Sequence, residues 1–504
     1  MAYHIDHPEF LTVICNMRQN GLFLLFSCFL IGVSSLTAQY DINISIDNYD
    51  NDTILIGYYL GNKQLVRDTL YAEEAGKFQL SGKDTLNNGV YLLLTYPDKE
   101  YVQFHINEGE KDFDLNFDYN DKSRVTFKGS PDNINFQSYL NLISENRARA
   151  QELRDSIAAL EEKGKDVASF RKELTAIDNK IIDRQAEIIK ESPESLTAII
   201  LKASQDISVP DFENDKDPAA SRFRYYKQHY FDNIDMENPL MIYSGTLHPK
   251  VDTYMKKLTA NHPDSIIQSI DTLLNMVKPA EDTYRYFLST FLNEYAKSKV
   301  IGFDAVFVHL VDNYYRDGGA PWVKAESLAK IVDNADKLKP VLLGNTGADI
   351  KVFRENGTPI SISDIDYEYL VLLFWAPDCG HCTKMMPKFV EFNNTWKEKG
   401  VKLFAICSKH MDKTKTCWEK LEEKDMLGFI NAADEKHRSR FKLKYNVSTT
   451  PKVFVLDKDR KILMKNIGSD QLEDVMIQIL KQEGREDLIP EGLPRIKEET
   501  GIEK

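Results

Sequence analysis

The run Tyr369-Leu370-Val371-Leu372-Leu373-Phe374-Trp375 opens directly into Ala376-Pro377-Asp378-Cys379-Gly380-His381-Cys382. Side chains alternate across a strand, so a run that is apolar at every position is a strand covered on both faces, as at the centre of an α/β sheet. The helix-compatible stretch that follows, to Lys399, sets Cys379 at a helix N-terminus. Unpaired backbone N–H groups and the helix dipole favour an anion there. Two intervening residues put Cys382 one turn further on, near enough to close a disulfide and more buried. The thiolate is the nucleophile, so lowering the pKa of Cys379 below about 8.5 raises its reactive fraction. Cys379 is therefore predicted to attack a substrate disulfide and Cys382 to resolve the mixed disulfide. Gly380 and His381 are the tuning positions. His381 adds partial positive charge near the thiolate, which stabilises the reduced form and makes the disulfide more oxidising.

The surroundings read as alternating strands and helices. Residues 401–406 form a second buried strand, and 452–456 with 462–464 form an antiparallel pair about the turn Asp457-Lys458-Asp459-Arg460. A helix over 471–482 closes a β-α-β then β-β-α order. A metal knuckle or a static disulfide is the plain alternative for the CxxC. Six cysteines stand at 15, 28, 379, 382, 407 and 417. Without a second CxxC, a four-thiolate zinc site would have to recruit Cys407 and Cys417 across a wide gap, so no metal is assigned. Cys407 and Cys417 are read as two buried thiols or a second disulfide, with the disulfide ahead on compartment. His410, between them, is read as a surface residue.

The 504 residues exceed one compact core and predict two to four domains. With 42% hydrophobic and 11% aromatic residues the chain has material for buried cores. A formal net charge of -14 argues against nucleic acid as a partner. Residues 40–128 carry short alternating runs separated by Asp50-Asn51-Asp52, Gly61-Asn62, Asn87-Asn88-Gly89 and Pro97-Asp98, the pattern of an all-β sandwich. His105 stands alone among strand formers and is read as structural. After the linker Lys128-Gly129-Ser130-Pro131-Asp132-Asn133, residues 134–205 predict a helical hairpin turning near Lys163-Gly164-Lys165. Residues 217–336 continue as aromatic-rich helices whose stripes are read as core.

Residues 21–36 form an uncharged apolar run, short of the roughly 20 residues a membrane-crossing helix needs. Arg18 precedes it and Ser34-Ser35-Leu36-Thr37-Ala38 closes it, the layout of a secretory signal cut after Ala38, with Met17 as the natural start. A lipoprotein lipidated at Cys28 and an uncleaved anchor are the alternatives, and either gives membrane association through the N-terminus. All three place the bulk of the chain in an oxidising periplasm or cell envelope.

Residues 340–484 resemble the TlpA/ResA branch of thioredoxin-like thiol-disulfide oxidoreductases. The resemblance rests on 374–382, on Pro387 beyond the second cysteine, and on Thr449-Thr450-Pro451, which matches the family's cis-proline loop. It implies a cis bond at Pro451 and substrate contacts at Thr450, Pro451 and Trp375, although Phe374 and Trp375 also read as packing beneath the site. The whole layout resembles Bacteroidota envelope proteins that join an N-terminal β domain and a helical middle domain to this domain, with 127–133 matching their junction. The expected architecture is thus multidomain: an all-β sandwich (39–130), an α-helical domain (131–338), an α/β thioredoxin fold (339–484) and a C-terminal tail (485–504), after a signal segment (1–38). The resemblance implies a disulfide reductase without a cofactor, acting on protein or small-thiol disulfides and recharged by an upstream envelope electron donor. A partner-binding or assembly protein with a secondary dithiol is the alternative. Two departures stand out. Leu373 occupies the position of the buried aspartate of thioredoxins. Ala376 replaces the threonine a peroxiredoxin needs.

Overall fold

A computed structural model describes residues 39–98 and 100–493. The signal segment, Met17, Cys15, Cys28 and residues 494–504 of the tail lie outside the described residues.

Two four-stranded sheets make the N-terminal unit. One has the order Lys77–Gly82, Tyr40–Asp47, Asp112–Asp118, Asp121–Lys128; the other Lys63–Tyr71, Thr53–Leu60, Gly89–Leu94, Tyr101–Ile106. In Tyr40–Asp47 every second residue is buried, which turns Ile42, Ile44 and Ile46 onto one face. They meet Ile54, Ile56, Leu93 and Phe104 of the facing sheet in one core, so the unit is a sandwich.

The linker after it is the start of a helix. Pro131 stands at the first helical position of Pro131–Glu161, and the Ser130 side chain caps it by accepting the Asn133 backbone N–H. The next residue ties the two units together. Buried Asp132 faces His105 Nδ1 at 3.1 Å and accepts from Asn107 Nδ2 at 2.6 Å and from the Thr197 N–H at 3.2 Å. His105 is thus structural, fully buried, its ring 4.2 Å from that of Phe136.

Pro131–Glu161 and Ala168–Glu191 form the expected hairpin, turning where Gly164 adopts φ +62°. A third helix, Leu196–Ser204, packs back on it through Ala198 and Leu201. The helices from Pro218–His229 to Ala325–Leu338 share a separate core, in which the aromatic stripes are buried as packing. Tyr286 of this region reaches the sandwich, donating its hydroxyl to Asn62 at 2.7 Å. No described helix is long and apolar enough to cross a membrane.

The C-terminal unit is a seven-stranded sheet in the order Pro359–Ser361, Lys351–Phe353, Ile430–Ala433, Val401–Cys407, Tyr369–Trp375, Lys452–Asp457, Ile462–Lys465. The three inner strands from Ile430 to Trp375 are parallel, and Lys452–Asp457 joins antiparallel. Along Tyr369–Trp375, Val371, Leu373 and Trp375 face the helices Gly380–Trp396 and Leu472–Gln482. Leu370, Leu372 and Phe374 face Phe441 and Tyr445 on the other side. This explains the unbroken apolar run. The packed unit extends past 484, since Leu488, Ile489 and Leu493 lie against the first of these cores. Buried Lys465 joins the unit to the helical region through Asp304 and through the Val341 carbonyl at 2.6 Å.

Candidate active site

The central strand ends at Trp375, and the chain turns once before the helix Gly380–Trp396 begins. Cys379 is the residue that caps this helix: its sulfur accepts the backbone N–H of Cys382 at 3.3 Å. A sulfur in that place stands where the orphan N–H groups of the first turn converge. Burial alone would lift the Cys379 thiol. Hydrogen bonds from the Cys382 thiol and backbone N–H outweigh it and hold Cys379 below the ordinary thiol value. Cys382, 1% exposed, goes the other way: burial, then the neighbouring Cys379, push it up to about 12. Both sulfurs are unpaired with any other cysteine. The pair therefore divides into a half-buried sulfur whose thiol is lowered and a buried one whose thiol is raised.

The remaining predicted positions fall around this pair. Thr450 lies opposite, its carbonyl 3.1 Å from the Cys379 sulfur, and the Thr450–Pro451 peptide is cis. His381 is exposed at the helix start. A Cβ built on Gly380 meets nothing within 4 Å, so the approach to Cys379 is open on that side. Pro387 sits inside the helix. Trp375 corrects one expectation: at 1% exposure it packs in the core with Leu373 and Phe389 and presents no face to a substrate. Its place at the end of a strand covered on both sides leaves it no other course. Phe374 stacks on Phe441 across the opposite face. Leu373 is fully buried between Ala405 and Val453, so no carboxylate stands beneath Cys382 at this position.

Cys407, at the end of the neighbouring parallel strand, is joined by a disulfide to Cys417 of the helix Lys415–Glu423. Both half-cystines are buried, and neither thiolate is available beside the CxxC. The bridge closes a loop carrying Ser408, Lys409, His410 and Lys413, all of which line a cavity of about 550 Å³ with Cys379 and Thr450. Lys442 completes the wall. Reasoning from motifs missed these lysines. The signal was topological: in an open parallel sheet, ligands bind beyond the carboxyl ends of the strands, and both this loop and the CxxC follow such ends.

Residues 343–465 match the AhpC/TSA family. Residues 40–136 and 175–340 match two families described as domains of unknown function (DUF4369 and DUF5106). Among curated proteins the chain is similar to a thiol-disulfide oxidoreductase ResA of Bacillus cereus, 30% identical over 148 residues, which are 29% of this chain and 82% of that one. ResA of Bacillus anthracis matches with the same identity and coverage. Among solved structures, a thioredoxin-like protein from Bacteroides caccae ATCC 43185 is similar over 54% of this chain and 99% of its own, with 15% identity and a TM-score of 0.40. A domain described as a "possible thiol-disulfide isomerase" from Cytophaga hutchinsonii ATCC 33406 is 30% identical over 29% of this chain and 97% of its own, with a TM-score of 0.27.

Proposed function

The chain belongs to the ResA-type thiol-disulfide oxidoreductases of the thioredoxin superfamily, and from that premise we propose that it is a disulfide reductase of the bacterial cell envelope working through Cys379 and Cys382. The observation that carries the assignment of roles is the split between the two sulfurs, one a helix cap held below the ordinary thiol value and the other buried and raised to about 12. The Cys379 thiolate attacks one sulfur of a substrate disulfide, forming a mixed disulfide and expelling the first substrate thiolate. Capture of Cys379 in that bond removes the neighbour that helps to raise Cys382. Cys382 then gives up its proton to water or to the departing thiolate and attacks Cys379, releasing the second substrate sulfur as a thiolate that takes its proton from water. The substrate gains two electrons and two protons, and an upstream envelope dithiol donor restores Cys379 and Cys382.

Thr450 faces Cys379 with cis-Pro451 directly after it, and the resemblance gives the residue before the cis-proline the role of offering backbone hydrogen bonds to substrate. His381 raises the potential by favouring the thiolate, while Leu373 leaves the proton of Cys382 without a carboxylate to receive it. An envelope location is supported by the apolar run behind Arg18 and by the buried Cys407–Cys417 bridge, since structural disulfides persist in oxidising compartments.

The test is disulfide exchange with a model substrate by the full chain and by the Cys379→Ser, Cys382→Ser double variant. Loss of exchange in the double variant is expected. Unchanged exchange overturns the reading and favours an assembly protein with an incidental dithiol. Cys382→Ser alone is expected to accumulate mixed disulfides, and their accumulation in Cys379→Ser instead would reverse the order of attack.

A further inference from the structure

The chain carries a formal net charge of -14, yet the wall beside its nucleophile is basic. Lys409, Lys413 and Lys442 line the cavity that holds Cys379, with His410 between the first two. Asp378 is the one carboxylate among the described lining residues, and Lys409 pairs with it at 2.6 Å. Hydrogen bonding to Lys409 and, more weakly, the field of Lys413 hold the Asp378 carboxyl below its ordinary value. Lys413 and Lys442 are exposed, and among the described residues neither has a carboxylate at ion-pair distance. They come from different elements, the loop after Val401–Cys407 and the short helix Phe441–Lys444, so the fold assembles them around the sulfur.

Resting on the assignment of Cys379 as nucleophile, we propose that this groove selects polypeptide disulfides flanked by carboxylates. A half-cystine delivered to Cys379 brings its neighbouring residues along the cavity past Thr450, where Lys413 and Lys442 meet acidic side chains two or three positions away. The chemistry is the exchange already described: the substrate disulfide is reduced to two thiols and Cys379–Cys382 is oxidised. The lysines act before the first sulfur–sulfur bond forms, raising the encounter rate and holding the acidic flank. The attraction acts close to the sulfur, so it directs the acidic flank toward Cys379. Exposed pairs of this kind are individually weak and screened by salt. The expected preference is therefore modest, about three- to tenfold between acidic and basic peptides at low ionic strength.

The experiment uses the reduced full-length chain and three peptides with one disulfide each, flanked by Glu, Gln or Lys. The second-order rate of Cys379–Cys382 oxidation is followed at low salt and at 0.5 M NaCl, the latter shortening the screening length to roughly 4 Å. The expected order is Glu above Gln above Lys, with the ratio of Glu to Lys falling toward one in salt. In a Lys413→Gln, Lys442→Gln variant that ratio is expected to fall at least threefold at low salt. Equal rates for the three peptides, or a preference insensitive to salt, overturn the proposal while leaving the reductase reading standing. Failure of every peptide to oxidise the dithiol overturns the reductase reading itself. Should the variant not fold, the salt dependence of the unmodified chain decides.

Discussion

The Cys379 sulfur and the Thr450 carbonyl oxygen lie 3.1 Å apart across 71 residues of sequence. The contact joins the cap of one helix to the loop that leads into Lys452–Asp457. The nucleophile is therefore placed by two elements at once, the helix start holding it from behind and the proline loop facing it.

The unequal environment of the two sulfurs predicts unequal alkylation. In the reduced chain, iodoacetamide is expected to modify Cys379 with a midpoint below the roughly 8.5 of a free thiol. Cys382, buried and raised, is expected to be modified far more slowly than Cys379 across that range. Peptide mass mapping of alkylation rate against pH checks both. Faster modification of Cys382 at neutral pH would reverse the assigned roles.

Leu373 predicts the outcome of restoring an acid beneath the site. It is fully buried between Ala405 and Val453 within an apolar core, so Leu373→Asp would bury a carboxyl without a partner. A cost of about 2–5 kcal/mol follows from leaving a polar group unsatisfied in such a place. Denaturant unfolding followed by tryptophan fluorescence reads this unit well, because Trp375, Trp396 and Trp418 all lie in it. A variant as stable as the parent would mean that water or a polar group reaches this position.

Legibility in the sequence followed the physics of each element. The strand Tyr369–Trp375 and the alternation of Tyr40–Asp47 were readable because burial imposes a period, two faces in one case and one in the other. Lys351–Phe353 and Pro359–Ser361 were not, since three residues are too few to show a period. The CxxC was readable because its spacing is its chemistry. The lysines of the groove carry no such mark: an exposed lysine looks alike on every loop, and only the crossover connections bring the 408–414 loop and Phe441–Lys444 to one sulfur. Trp375 was half readable, its burial implied by the run and its substrate contact implied by resemblance, and burial prevailed. His105 was read as structural, but its partners Asp132 and Thr197 lie 27 and 92 residues away and had no local signature.

The Cys407–Cys417 bridge closes a short loop that forms one wall of the groove. Cross-linking a loop of this size restrains the unfolded chain by about 2–3 kcal/mol. Cys407→Ala, Cys417→Ala is expected to lower the stability of the C-terminal unit by that amount, read from the same tryptophan transition. It should also weaken the preference for acidic peptides, because Lys409 and Lys413 ride on the released loop. A preference that survives intact would place the selectivity on Lys442 or elsewhere.

Asp132 predicts how the sandwich and the helices part on acidification. Burial works against its charge, but contacts with His105 first, then with Thr197 and Asn107, outweigh it and hold the carboxyl below its ordinary value. A carboxyl depressed in the folded state contributes stability that is fully present above its unfolded value, about 3.9, and is lost as pH falls through the lower folded value. Docking of the two units is therefore expected to weaken as the pH falls below about 4. Asp132→Ala should abolish that acid-dependent step and cost about 2–4 kcal/mol at neutral pH, since it leaves Asn107 and the Thr197 N–H buried without their acceptor. Limited proteolysis of the Lys128–Pro131 connection against pH measures both. Cleavage in the parent that rises equally between pH 7 and 5 would assign the acid response to another group.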